Sequence, residues 1–180
     1  MKKMLLMVAM VVGLFVLNVN ADDVKASAGI DVVSAYVYKG ATYNDGLVIQ
    51  PWAEVSSGPI LIGTWINYDV GSYHQTLLED EVSEVDFYAG YDFPFELISL
   101  SAGYSVFTYP HYDYDTEQEL SLTATLGKLP LSPSATVKYG VDGGLAQNLY
   151  YEAGVSQGFK TLGSKVDIGA LVAYTDPYQG

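Results

Sequence analysis

The segment Glu117-Gln118-Glu119-Leu120-Ser121-Leu122-Thr123-Ala124-Thr125-Leu126 decides the fold class. Leu120, Leu122, Ala124 and Leu126 alternate with Glu119, Ser121, Thr123 and Thr125. A period of two sends alternate side chains to opposite faces of an extended strand, whereas a helix repeats near 3.6. One face is apolar, and the other carries small hydroxyls and acids.

The same pattern recurs on both sides of this segment. Toward the N-terminus it covers residues 97–109, 82–92, 60–69, 47–56 and 25–38. Toward the C-terminus it covers residues 134–140, 149–159 and 164–174. The segment 25–38 is expected to be one strand, with Ala28, Ile30, Val32, Tyr36 and Tyr38 on its apolar face. Pro51 cannot donate to a sheet ladder, so it marks a bulge or a strand end. The connections alternate in character. Residues 56–59 and 92–96 are tight, and 127–133 and 160–163 fall on the same rim. Residues 69–81 and 108–116 are longer and acidic, joined by 40–46 and 141–147. Period two alone also fits a soluble sandwich, whose apolar face packs on a second sheet. Short turns on one rim and longer loops on the other are the pattern of an outer-membrane barrel. Sixteen Tyr suit the membrane–water interface.

The expected fold is therefore all-β: an antiparallel transmembrane β-barrel, an up-and-down meander with about nine strands visible. Bacterial single-chain barrels have an even strand number, and an open edge cannot sit in lipid. By this count residues 175–180 begin an outer loop, and the complete protein is expected to have 10–12 strands.

Lys2 and Lys3 precede an apolar run over residues 4–17, and Val19-Asn20-Ala21 places small residues at the cleavage-specifying positions. This is the pattern of a secretory signal peptide. Residues 1–21 are read as that signal and 22–180 as the barrel. The chain has no Cys, which excludes a lipoprotein anchor, disulfides and thiolate metal sites. Its formal charge is −13. Cleavage removes two Lys and no acid, leaving six Lys against 21 Asp and Glu, a net −15. There is no Arg. Binding to nucleic acid, which needs clustered cations, is excluded. The expected partners are outer-membrane lipid and small solutes.

Gly154-Val155-Ser156-Gln157-Gly158 matches the G-x-S-x-G nucleophile elbow, but no His follows it and the segment reads on as strand. His74 and His111 are the only His and have no partners at metal-ligand spacing. The run from His111 through Asp113 and Asp115 to Glu117 resembles a carboxylate ladder for Ca²⁺ but lacks the Gly and closing Glu of an EF-hand loop. No catalytic residue, cofactor or metal is expected. The polar faces place Asp31, Glu54, Asp69, Glu84, Asp86, Glu119, Lys138, Glu152, Lys165 and Asp167 in the lumen. Paired, they would plug a narrow barrel; unpaired, they would line a cation-preferring path.

The segment Val33-Ser34-Ala35-Tyr36-Val37-Tyr38-Lys39-Gly40 resembles the opening motif of the TorF-like porins, a proteobacterial outer-membrane family of largely uncharacterised function. The likeness continues through Asn44-Asp45-Gly46, Gln50-Pro51 and Gly63-Thr64-Trp65-Ile66-Asn67. It recurs in Glu84-Val85-Asp86-Phe87-Tyr88-Ala89-Gly90-Tyr91 and Tyr150-Tyr151-Glu152-Ala153-Gly154. Lys39 and Ala35 stand where that family usually has Arg. The resemblance implies a barrel in the outer membrane and carries no catalytic residues. The expected function is passive passage of small solutes with weak cation preference. The alternative is a non-conducting barrel that acts through its extracellular loops; a barrel enzyme ranks lowest.

Export with cleavage after Ala21 is the expected fate of the chain. N-terminal sequencing of the mature protein should begin at Asp22, and retention of Met1 would refute the signal reading.

Overall fold

Val24–Val33 (β1) starts an antiparallel sheet in a computed structural model of the chain, which describes residues 24–71, 80–161 and 164–176. The expected signal segment and His74 lie outside the described residues. Tyr36–Tyr38 (β2) and Ala41–Asn44 (β3) pair only with each other. The sheet continues through Val48–Ser57 (β4), Ile60–Asp69 (β5), Glu81–Phe93 (β6) and Ser99–Thr108 (β7). Glu117–Thr125 (β8), Ser134–Asp142 (β9), Leu149–Thr161 (β10) and Ser164–Asp176 (β11) complete it. Its nine strands follow chain order, each antiparallel to the next, with the β2–β3 hairpin inserted between β1 and β4. Among the described residues no ladder joins β1 to β11, so the sheet is open.

The alternation dictates the two faces. Trp65 pairs with Asp86 and Asp86 with Phe107, which sets one row of side chains across β5, β6 and β7. Glu119 and Leu120 are chain neighbours, yet Glu119 is 4% exposed and Leu120 49%. The polar face is the buried one: Asn67, Asp69, Ser83 and Glu84 are all buried there. The opposite face leaves Ile30, Val55, Leu122, Val155, Ile168 and Val172 exposed. The fully buried apolar residues are few, and Val48, Phe107 and Tyr150 share the polar face.

Three local expectations are corrected. Residues 25–38 are not one strand. The chain leaves the sheet after Val33, and Tyr36 and Tyr38 are not on the apolar face. Their hydroxyls instead bond carboxylates on the polar face, which an outward phenol could not reach. Residues 40–46 are not simply a loop, since 41–44 form β3. Lys39 and Gly40 both have left-handed backbone (φ 51° and 82°), the signature of a two-residue type I′ hairpin turn. Pro51 marks neither a bulge nor a strand end. It pairs with Ile30 inside β4 and the register to β5 is the same on both sides of it; only the Gln50 and Pro51 rungs are missing. The Gln50 side chain bridges that gap, with Nε2 donating to Asn67 Oδ1 at 3.0 Å.

Among the described residues the pairing slips at three places, in β3 opposite Tyr36 and Val37, in β9 opposite Gln118 and Glu119, and in β6 opposite Asn67 and Tyr68. The β6 bulge bears on the buried face. It lets both Ser83 and Glu84 turn to the buried face. Two aromatic rings lie flat across glycines of the neighbouring strand. A Cβ on Gly29 would fall 2.6 Å from the Trp52 ring, and one on Gly63 2.4 Å from Tyr88. Trp52 and Tyr88 are the register partners of these glycines. The rings therefore present their other faces inward.

Gly63→Ala should lower the unfolding free energy by about 1–3 kcal/mol, because the Tyr88 ring must lift off the strand. Gly90→Ala is the control, as its new Cβ would meet nothing closer than Ala102 O at 3.7 Å. Denaturant titrations of the two variants should separate clearly; equal effects would mean that the ring does not rest on Gly63.

Candidate functional site

The polar face is buried because the β2–β3 hairpin folds over it. Tyr36 Oη donates to Glu84 Oε2 at 2.8 Å, and its ring lies 5.3 Å from those of Trp65 and Tyr43. Tyr38 Oη donates to Glu119 Oε1 at 3.3 Å, with its ring 5.9 Å from Phe107. Lys39, at the turn, forms an ion pair with Glu119 Oε2. Its ammonium lies 5.2 Å from the Tyr150 ring centroid. The hairpin thus meets side chains of every strand from β5 to β10. In a flat sheet those six strands would spread over about 24 Å. The sheet curls around the hairpin, with its polar face concave.

The far end of the hairpin is tied down as well. Asn44 Nδ2 donates to Asp69 Oδ1 at 2.5 Å, and Asn44 Oδ1 accepts from the Gly46 backbone N–H at 2.7 Å. Asn67 Nδ2 donates to the same Asp69 oxygen at 2.9 Å and to Ser83 Oγ at 2.8 Å. Asn44, Asn67 and Asp69 are fully buried, so each of these bonds stands where no water replaces it.

Glu119 is the junction of the site. It accepts from Tyr38, pairs with Lys39, and lies 3.6 Å from Lys138 Nζ. Both ammonium groups sit 5.1–5.7 Å from the ring centroids of Tyr38 and Tyr150, within cation–π range. Lys39 takes a left-handed backbone that costs an ordinary residue about 1–2 kcal/mol, and its ion pair offsets that strain. Burial pushes the Tyr36 and Tyr38 hydroxyls well above the usual phenol range, and the carboxylates of Glu84 and Glu119 add to the shift. Both remain protonated donors at any physiological pH. In the loop after β7, burial likewise raises Tyr109, which donates to Glu117 Oε2 at 2.7 Å.

The residues expected in the lumen separate into three groups. Asp69, Glu84, Asp86, Glu119 and Lys138 gather around the hairpin. Glu54 accepts from Tyr88 Oη at 2.9 Å, and Glu152 from Tyr150 Oη at 3.3 Å. Asp31 on β1 is exposed, and Lys165 and Asp167 on β11 pair with each other at 2.9 Å in the open. His111 is not isolated: Nδ1 lies 3.4 Å from Glu81 Oε2. Asp113 and Asp115 are exposed, and no group of three or more His, Asp or Glu able to hold a metal occurs among the described residues. Ser156 lies within β10, opposite Gly169, so the strand-to-helix turn of a nucleophile elbow is not formed.

Tyr36, Tyr38, Lys39 and Asn44 are the site residues that sequence reasoning missed. The signal was present in the Lys39-Gly40 pair between two short alternating runs, a two-residue hairpin hidden inside a longer strand pattern.

A family model described as a bacterial protein of unknown function (Gcw_chp) matches residues 19–179. No curated protein and no solved structure matches the chain.

Glu119→Leu should cost about 3–5 kcal/mol of unfolding free energy, because Lys39 and Lys138 lose their carboxylate in a largely buried place. Lys39→Met in the same background should show a coupling of at least about 1 kcal/mol with Glu119→Leu. Urea titrations of the two single variants and the double variant measure it, and strict additivity would deny the ion pair.

Proposed function

The chain belongs to the Gcw_chp family of bacterial proteins, and we propose that it forms an outer-membrane β-barrel of the TorF-like porin kind, passing small solutes with weak cation preference. The observation that carries this reading is the inverted burial of the sheet. Water-soluble proteins bury apolar side chains and expose polar ones. Here carboxylates and carboxamides are buried on the concave face, while Leu, Ile and Val stand exposed on the convex face. A lipid solvent removes the contradiction.

Two further features support it. Exposed aromatic side chains lie toward both rims of the convex face. Tyr91, Phe93 and Phe159 stand near the rim of the β6–β7 and β10–β11 turns; Tyr139, Tyr151 and Tyr174 stand near the opposite rim. Tyr151 and Phe159 are eight residues apart on β10, about 27 Å of strand; at the tilt of about 40° of barrel strands this rises about 20 Å, a little under the apolar band of about 25 Å that such barrels carry. The connections also keep the expected asymmetry. Residues 58–59, 94–98 and 162–163 join strands on one rim, and 70–80, 109–116 and 143–148 join them on the other; 126–133, on the first rim, departs from the pattern and is as long as 109–116. A membrane location requires that β1 and β11 each find a partner strand, because unpaired backbone groups cannot face hydrocarbon.

The hairpin makes the second reading specific. It fills part of the concave face, and Lys39, Lys138 and Glu119 neutralise one another within it. A barrel so filled would not conduct and would act through its longer loops. Two measurements decide. Leu122→Arg, on the convex face, should cost about 2–4 kcal/mol on folding into bilayers, and Thr123→Arg, on the concave face, much less; equal penalties would contradict the membrane reading. In planar bilayers the protein should give stepwise currents whose reversal potential in a KCl gradient favours K⁺, since acids outnumber Lys on the concave face. Silent bilayers would favour the filled barrel, and anion preference would mean that the facing is wrong.

A further inference from the structure

Beside the hairpin the concave face opens into a cleft of about 630 Å³ between β2 and strands β4 to β7. Its walls are aromatic: Tyr36, Tyr38, Trp52, Trp65, Tyr88 and Phe107. The chain has two Trp, and both are there. Trp52 and Tyr88 lie flat against Gly29 and Gly63, so each turns a ring face toward the open cleft. The cleft also holds the carboxylates of Glu54 and Asp86.

Among the described residues no lysine lines this cleft. Lys39 and Lys138 lie over the Tyr38 ring but are committed to Glu119. Asp86 is flanked in register by Trp65 on one side and Phe107 on the other. Glu84, two residues away on the same face, is itself an acid; it accepts from Tyr36 and shares a hydrogen bond with Asp86. Asp86 Oδ1 is buried with no hydrogen-bond partner. A carboxylate among aromatic rings, beside a second acid and with no lysine of the described residues lining its cleft, is disfavoured unless it takes up a proton or a positive group joins it, and a bound cation is what would hold it ionised.

We infer that this cleft binds a small organic cation, an alkylated ammonium ion seated against the indole and phenol rings with its charge toward Asp86 and Glu54. Aromatic faces attract ammonium groups through their quadrupoles, most of all when the site is partly desolvated. A hard inorganic cation would instead demand a shell of oxygen ligands, which this wall of rings does not supply. A saccharide would stack on the rings and donate hydroxyls to the carboxylates, but would bring no positive charge to match them. The volume lies within the range of small-molecule sites. The inference deepens the porin reading by naming a class of solute that would pause on the lumen wall. Conduction and binding are measured separately, so either can fail alone.

The test uses tryptophan emission, since both fluorophores line the cleft. The full mature chain, refolded into phosphatidylcholine-free detergent micelles, is titrated with choline at constant ionic strength. Parallel titrations use 3,3-dimethylbutan-1-ol, its uncharged isostere, and glucose. A saturable change with choline is expected, with a midpoint at least tenfold lower than for the isostere. Asp86→Asn should raise the choline midpoint at least tenfold. Glu54→Gln, which leaves the β6 carboxylates in place, should raise it by a smaller factor and serves if Asp86→Asn does not refold. Equal response to the uncharged isostere would make the cleft a plain apolar slot and overturn the inference. Saturation by glucose but not choline would overturn it in favour of a saccharide site, and no saturable change with any probe would overturn it outright.

Discussion

Glu119 cannot be buried alone. Its carboxylate is almost wholly removed from water, and an isolated buried charge is among the most costly groups a protein can hold. Lys39, Lys138 and Tyr38 meet that demand from three elements, the hairpin turn, β9 and β2. The same need runs across the concave face. Glu84 takes a phenol from Tyr36, and Asp69 takes amides from Asn44 and Asn67. The hairpin supplies partners in each case. It behaves less as a decoration of the sheet than as the group of donors that makes its polar face tolerable.

This arrangement explains the small apolar core. A soluble sheet of this size would bury its leucines and valines against another layer, and that burial would drive its folding. Here the apolar side chains point away from everything the chain itself provides. On the proposed reading their free energy is gained from lipid, while the interior is organised by hydrogen bonds and charge. Such an interior gains specificity from direction and pairing, since each donor fits few acceptors.

The hairpin also divides the concave face into unlike halves. On the side of β8 to β10 positive and negative groups neutralise each other around Tyr38 and Tyr150. On the side of β4 to β7 the acids stand among tryptophans and tyrosines, with no lysine of the described residues lining the cleft. One half is chemically closed and the other remains open to a ligand. The division follows from where Lys39 points, and that is set by a two-residue turn.

The sequence by itself determined the class of the fold and nearly all of its strands. Strict alternation, as in Glu119 to Thr125, admits only one backbone periodicity, and eight of the nine sheet strands could be located from it within two residues at either end. Within each unbroken strand it also told which side chains share a face, because there that depends on parity; the β6 bulge, which buries both Ser83 and Glu84, breaks the rule. What it did not reveal is the turning away of residues 34–44. Tyr36 and Tyr38 continue the alternation of β1, so the local pattern fits a longer strand equally well. Whether a strand continues or folds inward depends on what waits across the sheet: Glu84, Glu119 and Asp69, 25 to 81 residues away in the chain. Those contacts exist only once β5 to β10 have curved; the Lys39-Gly40 pair signals a turn locally but not the carboxylates that the turned hairpin meets. The tertiary structure therefore decided the hairpin, and with it the charge cluster on one side of the concave face and the aromatic cleft on the other.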